Sequence, residues 1–193
     1  MSSTSSPIDF LLSRRSVKFV QAPAPSQEEL EQILQAAMSA PDHGKLRPWR
    51  FKLIQGEAVG KLADTAFRAQ AEAGSPVPEQ KQQSVRGWLA EVPLMLAIAC
   101  KLDHSNTKIP EDERLLATGA AVMNILNAAH ALGYGAFWST GLGTYTDAVP
   151  ETLGFDSLEY RFMGFLAIGT PIDEQFPMTR PDHRQFVSEW TGE

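Results

Sequence analysis

Leu30, Ile33, Leu34, Ala37 and Met38 recur at the three-and-four spacing of a helix that buries one stripe. Ser26 stands before this run with Glu29 three residues on, the pattern of a capping box, and Pro41 ends the helix. An earlier start is written the same way. Ser6 is placed as N-cap, Pro7 at the first helical position and Asp9 in the first turn, so a short helix carries Phe10, Leu11 and Leu12 and delivers Arg14 at its end. Phe51 to Ile54 reads as a strand, Gly60 to Ala73 and Glu79 to Ala90 as helices, and Leu94 to Leu102 as an interior strand. Asp103 to Asp112 is a polar linker.

From Glu111 to Leu132 the pattern changes, because Leu115, Leu116, Ala117, Gly119 to Met123, Ile125, Leu126, Ala128, Ala129 and Leu132 leave almost no polar face. Such a helix is buried on several sides. A membrane span is the competing reading, but Thr118, Asn124, Asn127 and His130 interrupt the run and no flanking anchors accompany it. A core helix shared with a partner subunit accounts for it better. Gly133 stops it, Ala136 to Gly141 reads as a strand entering a loop, and Phe162 to Gly169 as a last strong strand. Strands scattered among helices of mixed spacing predict a single α+β domain over residues 1–193, a mixed or antiparallel central sheet flanked by helices.

Composition narrows the function. The net charge of -6 argues against nucleic-acid binding, which needs a concentrated excess of Lys and Arg. The single cysteine, Cys100, lies in an apolar run and reads as an inert core thiol. The first residues carry no cationic start followed by an apolar run, so a cytoplasmic protein is expected. His43, His104, His130 and His183 sit in separate segments without metal-ligand spacing, so no metal site is predicted. Gly56 to Leu62 looks like a P-loop but is one residue short between its glycines, and Leu62 stands where a hydroxyl must bind magnesium. No Gly-x-Gly-x-x-Gly joins a strand to a helix, which leaves a Rossmann site unsupported.

Two strings carry the chemistry. Ser13-Arg14-Arg15-Ser16 places two guanidiniums and hydroxyls at a helix end, a set matched to a dianionic phosphate; its bland alternative is a cation pair on the helix dipole. Ala40-Pro41-Asp42-His43-Gly44-Lys45-Leu46-Arg47-Pro48-Trp49-Arg50 adds an imidazole and more cations at the next helix end, with Trp49 read as core packing.

Together these strings resemble the flavin-binding segments of the nitroreductase family, in particular its short NAD(P)H nitroreductase branch, and the resemblance spans nearly the whole chain. It implies an FMN-dependent homodimer with one flavin in each of two interface clefts. Carried onto this sequence, Arg14, Arg15 and Ser16 bind the FMN phosphate or the polar side of the ring, and Ser39 and His43 contribute from the other subunit. Trp138, Ser139 and Thr140, with Gly141, form a strand end whose backbone approaches the flavin. The commoner family pattern has serines and an asparagine-glutamine pair before Pro-Trp. Here Lys45 and Arg47 occupy those flavin-facing positions, where Lys45 or a protonated His43 could stabilise an anionic reduced ring, or both cations could be solvated. A nicotinamide site on Ala128 to Gly133 is not carried over, because a helix C-terminus suits phosphates poorly. Arg180 and Arg184 are further phosphate candidates, and Phe176, Phe186 and Trp190 candidate anchors across a subunit interface.

The activity so implied passes a hydride from NAD(P)H through the flavin to a nitroaromatic, quinone or other conjugated acceptor by ping-pong turnover. The alternatives are the same fold with another acceptor chemistry, dehalogenation or flavin fragmentation, or a flavin-binding and storage module without turnover.

Overall fold

A computed structural model of the chain describes residues 6–173 and 178–192. Both capping boxes form. α1 (Pro7–Ser13) is capped by the reciprocal bonds of Ser6 and Asp9, and α2 (Gln27–Ala37) by those of Ser26 and Glu29. Tyr134 donates a 2.9 Å bond to the same Glu29 carboxylate, so the cap also ties α2 to the chain beyond the long helix.

The remaining elements are β1 (Val20–Gln21), β2 (Trp49–Gln55), α3 (Glu57–Glu72), α4 (Glu79–Glu91), β3 (Leu94–Lys101), α5 (Glu111–Ala131), β4 (Gly135–Ser139), α6 (Ala148–Thr152) and β5 (Tyr160–Pro171). Every strand pair is antiparallel. β2 pairs with β3 and β3 with β5, while the far edge of β5 is shared by β4 and β1.

β3 shows why the domain has three layers. Leu94, Leu96 and Ile98 pack with α2 and α5 on one face, whereas Met95, Ala97 and Ala99 pack with α3 and α4 on the other. Alternate side chains of a strand point to opposite faces, so a strand apolar at every position needs helices on both. Trp49 joins the α5-side core and Cys100 is fully buried, both as the sequence predicts. Burial pushes the Cys100 thiol above its ordinary value, in keeping with an unreactive core position.

Element boundaries differ by a few residues from those the sequence predicts, and two short elements lie outside that prediction. β1 is two residues long and α6 five, and neither carries a periodic pattern of its own. β5 extends beyond its apolar run to twelve residues because three strands pair along it. No helix of the described residues is long and apolar enough to cross a membrane.

α5 is buried on its α2 and sheet sides through Ala117, Ala121, Val122, Ile125 and Ala129. Its remaining side is open in a single chain, with Leu116 73% and Met123 45% exposed.

Candidate functional site

Arg14 is the C-cap of α1, with an extended ψ that turns the chain out of the helix. The segment after it runs beside β4, where the Val17 amide donates to the Ala136 carbonyl at 2.9 Å. α1 leans on the end of α5. The Phe10 and His130 rings stack at 5.0 Å, and Ser13 Oγ lies 2.9 Å from His130 Nε2. Arg180 reaches back from the C-terminal segment and donates through Nη2 to the backbone carbonyl of Arg14. The Arg14 guanidinium is held below its usual value by burial first and by the Arg180 charge second. No carboxylate forms an ion pair with either arginine among the described residues.

A cavity of about 300 Å³ opens on the α3–α4 side of the sheet, and the segment that follows Arg14 reaches it at Lys18. Ser139 and Gly141 at the end of β4 line it together with Lys18, Gln70, Lys81 and Trp88. The Gly141 amide donates to Ser139 Oγ, so a serine side chain and a bare backbone define this rim. The Trp88 indole donates to the Lys18 carbonyl at 2.9 Å, and the Lys18 ammonium lies over the same ring at 5.5 Å. Gly164 sets the position of Ser139. Its φ is +98, and a Cβ there would fall against the Ser139 carbonyl oxygen, so the β5 backbone can approach the end of β4 only without a side chain.

The second string lies elsewhere. Ser39 Oγ donates to the Ala36 carbonyl and accepts from Asn124 of α5. His43 opens a 3-10 turn, and its Nδ1 lies 2.6 Å from a Glu113 carboxylate oxygen, an acceptor, so that nitrogen carries the proton. Lys45 (φ 54) and Arg47 (φ 49) both adopt the left-handed conformation, rare for residues with a side chain. The loop is held there by the Arg47 amide bound to Asp42 Oδ2 at 2.6 Å and by Arg50 Nη1 bound to the Arg47 and Trp49 carbonyls. Strained backbone of this kind collects at binding sites.

Of the residues singled out in the sequence, Arg14, Arg15 and Ser16 adjoin the strand whose end supplies Ser139. Thr140 continues the rim and is exposed. Trp138 turns to the other face of β4, where its indole donates to the Met163 carbonyl at 2.8 Å and its ring packs on the α5-side core. Its side chain does not line the cavity. Ser39, His43 and Lys45 are not on that cavity either. Glu113, which His43 grips, and His130, beside Arg14, lie at opposite ends of α5, roughly 25 Å apart along its axis at about 1.5 Å per residue. Phe176 lies outside the described residues; Phe186 and Trp190 are exposed.

Lys18 and Gln70 escaped the sequence reading. Lys18 follows Ser16 by two residues, an alternate position on an extended segment that could have marked it, whereas Gln70 carries no local signal.

A family model described as the nitroreductase family matches residues 11–170. The chain belongs to the nitroreductase family. A curated relative in Escherichia coli, named "Putative NAD(P)H nitroreductase YdjA", is 32% identical over 182 residues, covering 94% of this chain and 97% of the relative. Among solved structures, a nitroreductase-like family protein from Bacillus cereus is similar over 100% of both chains with a TM-score of 0.81 at 23% identity. A structure from Desulfovibrio desulfuricans titled "putative nitroreductase in complex with FMN" has a TM-score of 0.74 at 24% identity, covering 96% of this chain and 98% of that one. The nitroreductase fold is therefore the α+β architecture described above, with an antiparallel sheet between two helical layers.

Proposed function

We propose that the protein is an FMN-dependent oxidoreductase that accepts reducing equivalents from NAD(P)H and passes them to a nitroaromatic, quinone or similar conjugated acceptor. The observation that carries this reading is the convergence of Arg14 and Arg180 with no carboxylate ion-paired to either among the described residues. The Arg180 charge disfavours that of Arg14, and a bound dianion relieves the repulsion. A phosphate monoester fits, with Arg14, Arg15, Arg180 and the Ser16 hydroxyl as donors. Lys18, Ser139 and the Gly141 backbone suit the polar edge of a flavin ring in the cavity that Lys18 lines. When bound, the flavin supplies the hydride chemistry; the protein supplies binding, orientation and charge.

The active unit in this reading is a homodimer, and each flavin is held by residues of both chains. Arg14 and His43 of one chain stand at opposite ends of α5, so they meet on one flavin only if the second comes from a partner. The open apolar side of α5 and the exposed Leu11 and Leu12 of α1 provide the surface for that partner.

The test is steady-state oxidation of NADH and NADPH by FMN-loaded protein, with and without nitroaromatic and quinone acceptors. Parallel double-reciprocal lines across acceptor concentrations are expected for ping-pong turnover. FMN bound without NAD(P)H oxidation would favour a storage module. Reduction by NAD(P)H with none of these acceptors reoxidising the flavin would point to a different acceptor chemistry.

A further inference from the structure

His130 stands beside Arg14, whose cation disfavours a second charge on the imidazole. Its surroundings define which of its nitrogens is available. The Ser13 hydroxyl donates its only proton to the Phe10 carbonyl at 2.8 Å, so at 2.9 Å it must accept from His130, and Nε2 carries a hydrogen. That leaves Nδ1 as the lone-pair nitrogen, and no described residue bonds to it. Among the described residues the groups facing the ring are Ser13 and Phe10 of α1 and Arg14 at its end, while Arg180 lies one step away on the Arg14 carbonyl. None of them is a carboxylate. Burial first and the Arg14 charge second hold the imidazole below its ordinary value, outweighing the carbonyl end of α5, which favours a cation.

We propose that His130 takes a proton from solvent onto Nδ1 when the FMN phosphate docks against Arg14 and Arg180, so that an imidazolium and two guanidiniums hold the dianion together. This rests on the flavin reading above and goes beyond it. The electrostatics change sign at docking. Before it, the charge acting on His130 among the described residues is the Arg14 cation; afterwards a phosphate of charge near -2 stands beside it, and an opposite charge at short range favours protonation. Uptake of a proton on binding makes affinity rise as pH falls across the interval between the free and bound values of His130. Below about pH 6 the flavin phosphate itself begins to protonate, which reverses the trend. The signature is therefore confined to pH values above about 6.5.

Calorimetric titration of FMN into the flavin-free protein, repeated at about pH 7.2 in buffers of different ionisation enthalpy, measures the protons taken up. Net uptake is expected for the wild type and none for His130→Gln, whose amide N–H can still serve Ser13. The wild-type affinity should fall by up to about tenfold per pH unit above pH 6.5, and the variant's should stay flat. As a second measurement on the unaltered protein, the His130 imidazole resonance is titrated with and without FMN. Its midpoint should move up by at least about one unit on loading, as close opposite charges require. FMN binding with no proton uptake, or a midpoint that stays put, would overturn the proposal while leaving the flavin site intact. Failure to bind FMN at all would instead overturn the flavin reading.

Discussion

Arg180, from the C-terminal segment, donates to the backbone carbonyl of Arg14 at the end of the first helix, bringing a second guanidinium charge within reach of the first. The bond caps α1, while the charges repel. If a phosphate resolves that conflict, Arg14→Ala weakens FMN by about 1.5 to 3 kcal/mol, the range for hydrogen bonds to charged groups. Arg14→Lys recovers part of the loss, because the charge survives and the planar fork does not. Arg180→Ala costs affinity too, and the double variant loses less than the sum of the singles, since the two share one ligand. Fluorescence titration of FMN against each variant checks this. Unchanged affinity in Arg14→Ala would reduce both arginines to helix-end cations.

The separation of Arg14 and His43 along α5 leads to a second expectation. If Arg14→Ala and His43→Ala each strongly impair flavin binding, a heterodimer of the two variants holds one doubly damaged site and one site built from wild-type residues. Co-expression with different tags, isolation of the mixed dimer and measurement of its FMN content should give about half occupancy, as a two-fold symmetric arrangement requires. A mixed dimer as empty as its parents would place the whole site within one chain.

Leu116 is 73% exposed on the side of α5 that faces neither α2 nor the sheet. In the proposed dimer a carboxylate there is buried, and the two-fold axis repeats it, so Leu116→Glu costs about 3 kcal/mol or more at the interface. Sedimentation at micromolar concentration should find the variant monomeric and the wild type dimeric, with FMN affinity lost in parallel. A wild-type monomer that binds FMN normally would contradict the shared site.

Gly164 offers a test of how the sheet supports the cavity. Gly164→Ala must carry a side chain at a φ of +98 and push against the Ser139 carbonyl, which costs about 1 to 3 kcal/mol of stability. Because Ser139 ends β4 at the cavity rim, FMN affinity should fall with it. Urea unfolding gives the first quantity and flavin titration the second. Loss of stability with undisturbed flavin binding would mean that the rim adapts.

What the sequence made legible follows from which interactions are local. Both capping boxes rest on residues three apart, and the helical stripe of α2 on spacing within a dozen residues, so these elements could be read directly. β1 could not, because Val20 and Gln21 become a strand only through Pro171 and Thr170, some hundred and fifty residues away. The same division runs through the site. Arg14, Ser16, Ser39, His43 and Ser139 lie in strings whose residue types announce binding. Gln70 reaches the cavity only when α3 packs near the end of β4, and Arg180 meets Arg14 only when the tail folds back onto α1; Trp138 turns away from the cavity because the alternation of β4 places it on the opposite face from Ser139. The left-handed conformations of Lys45 and Arg47 depend on Asp42 and Arg50 gripping the loop, which residue preference alone argues against.

α5 acts as a ruler. One end abuts the Arg14 cluster and the other anchors His43, so in the proposed dimer each end of the helix belongs to a different flavin, and its 21 residues set the spacing of both clefts at once. Inserting or deleting one residue within it would shift one end by about 1.5 Å and turn it by about 100° relative to the other, damaging two sites in a single event. The loop from Asp103 to Pro110 precedes that ruler and bears no such duty. Length variation among related chains should therefore gather in this loop and stay out of α5.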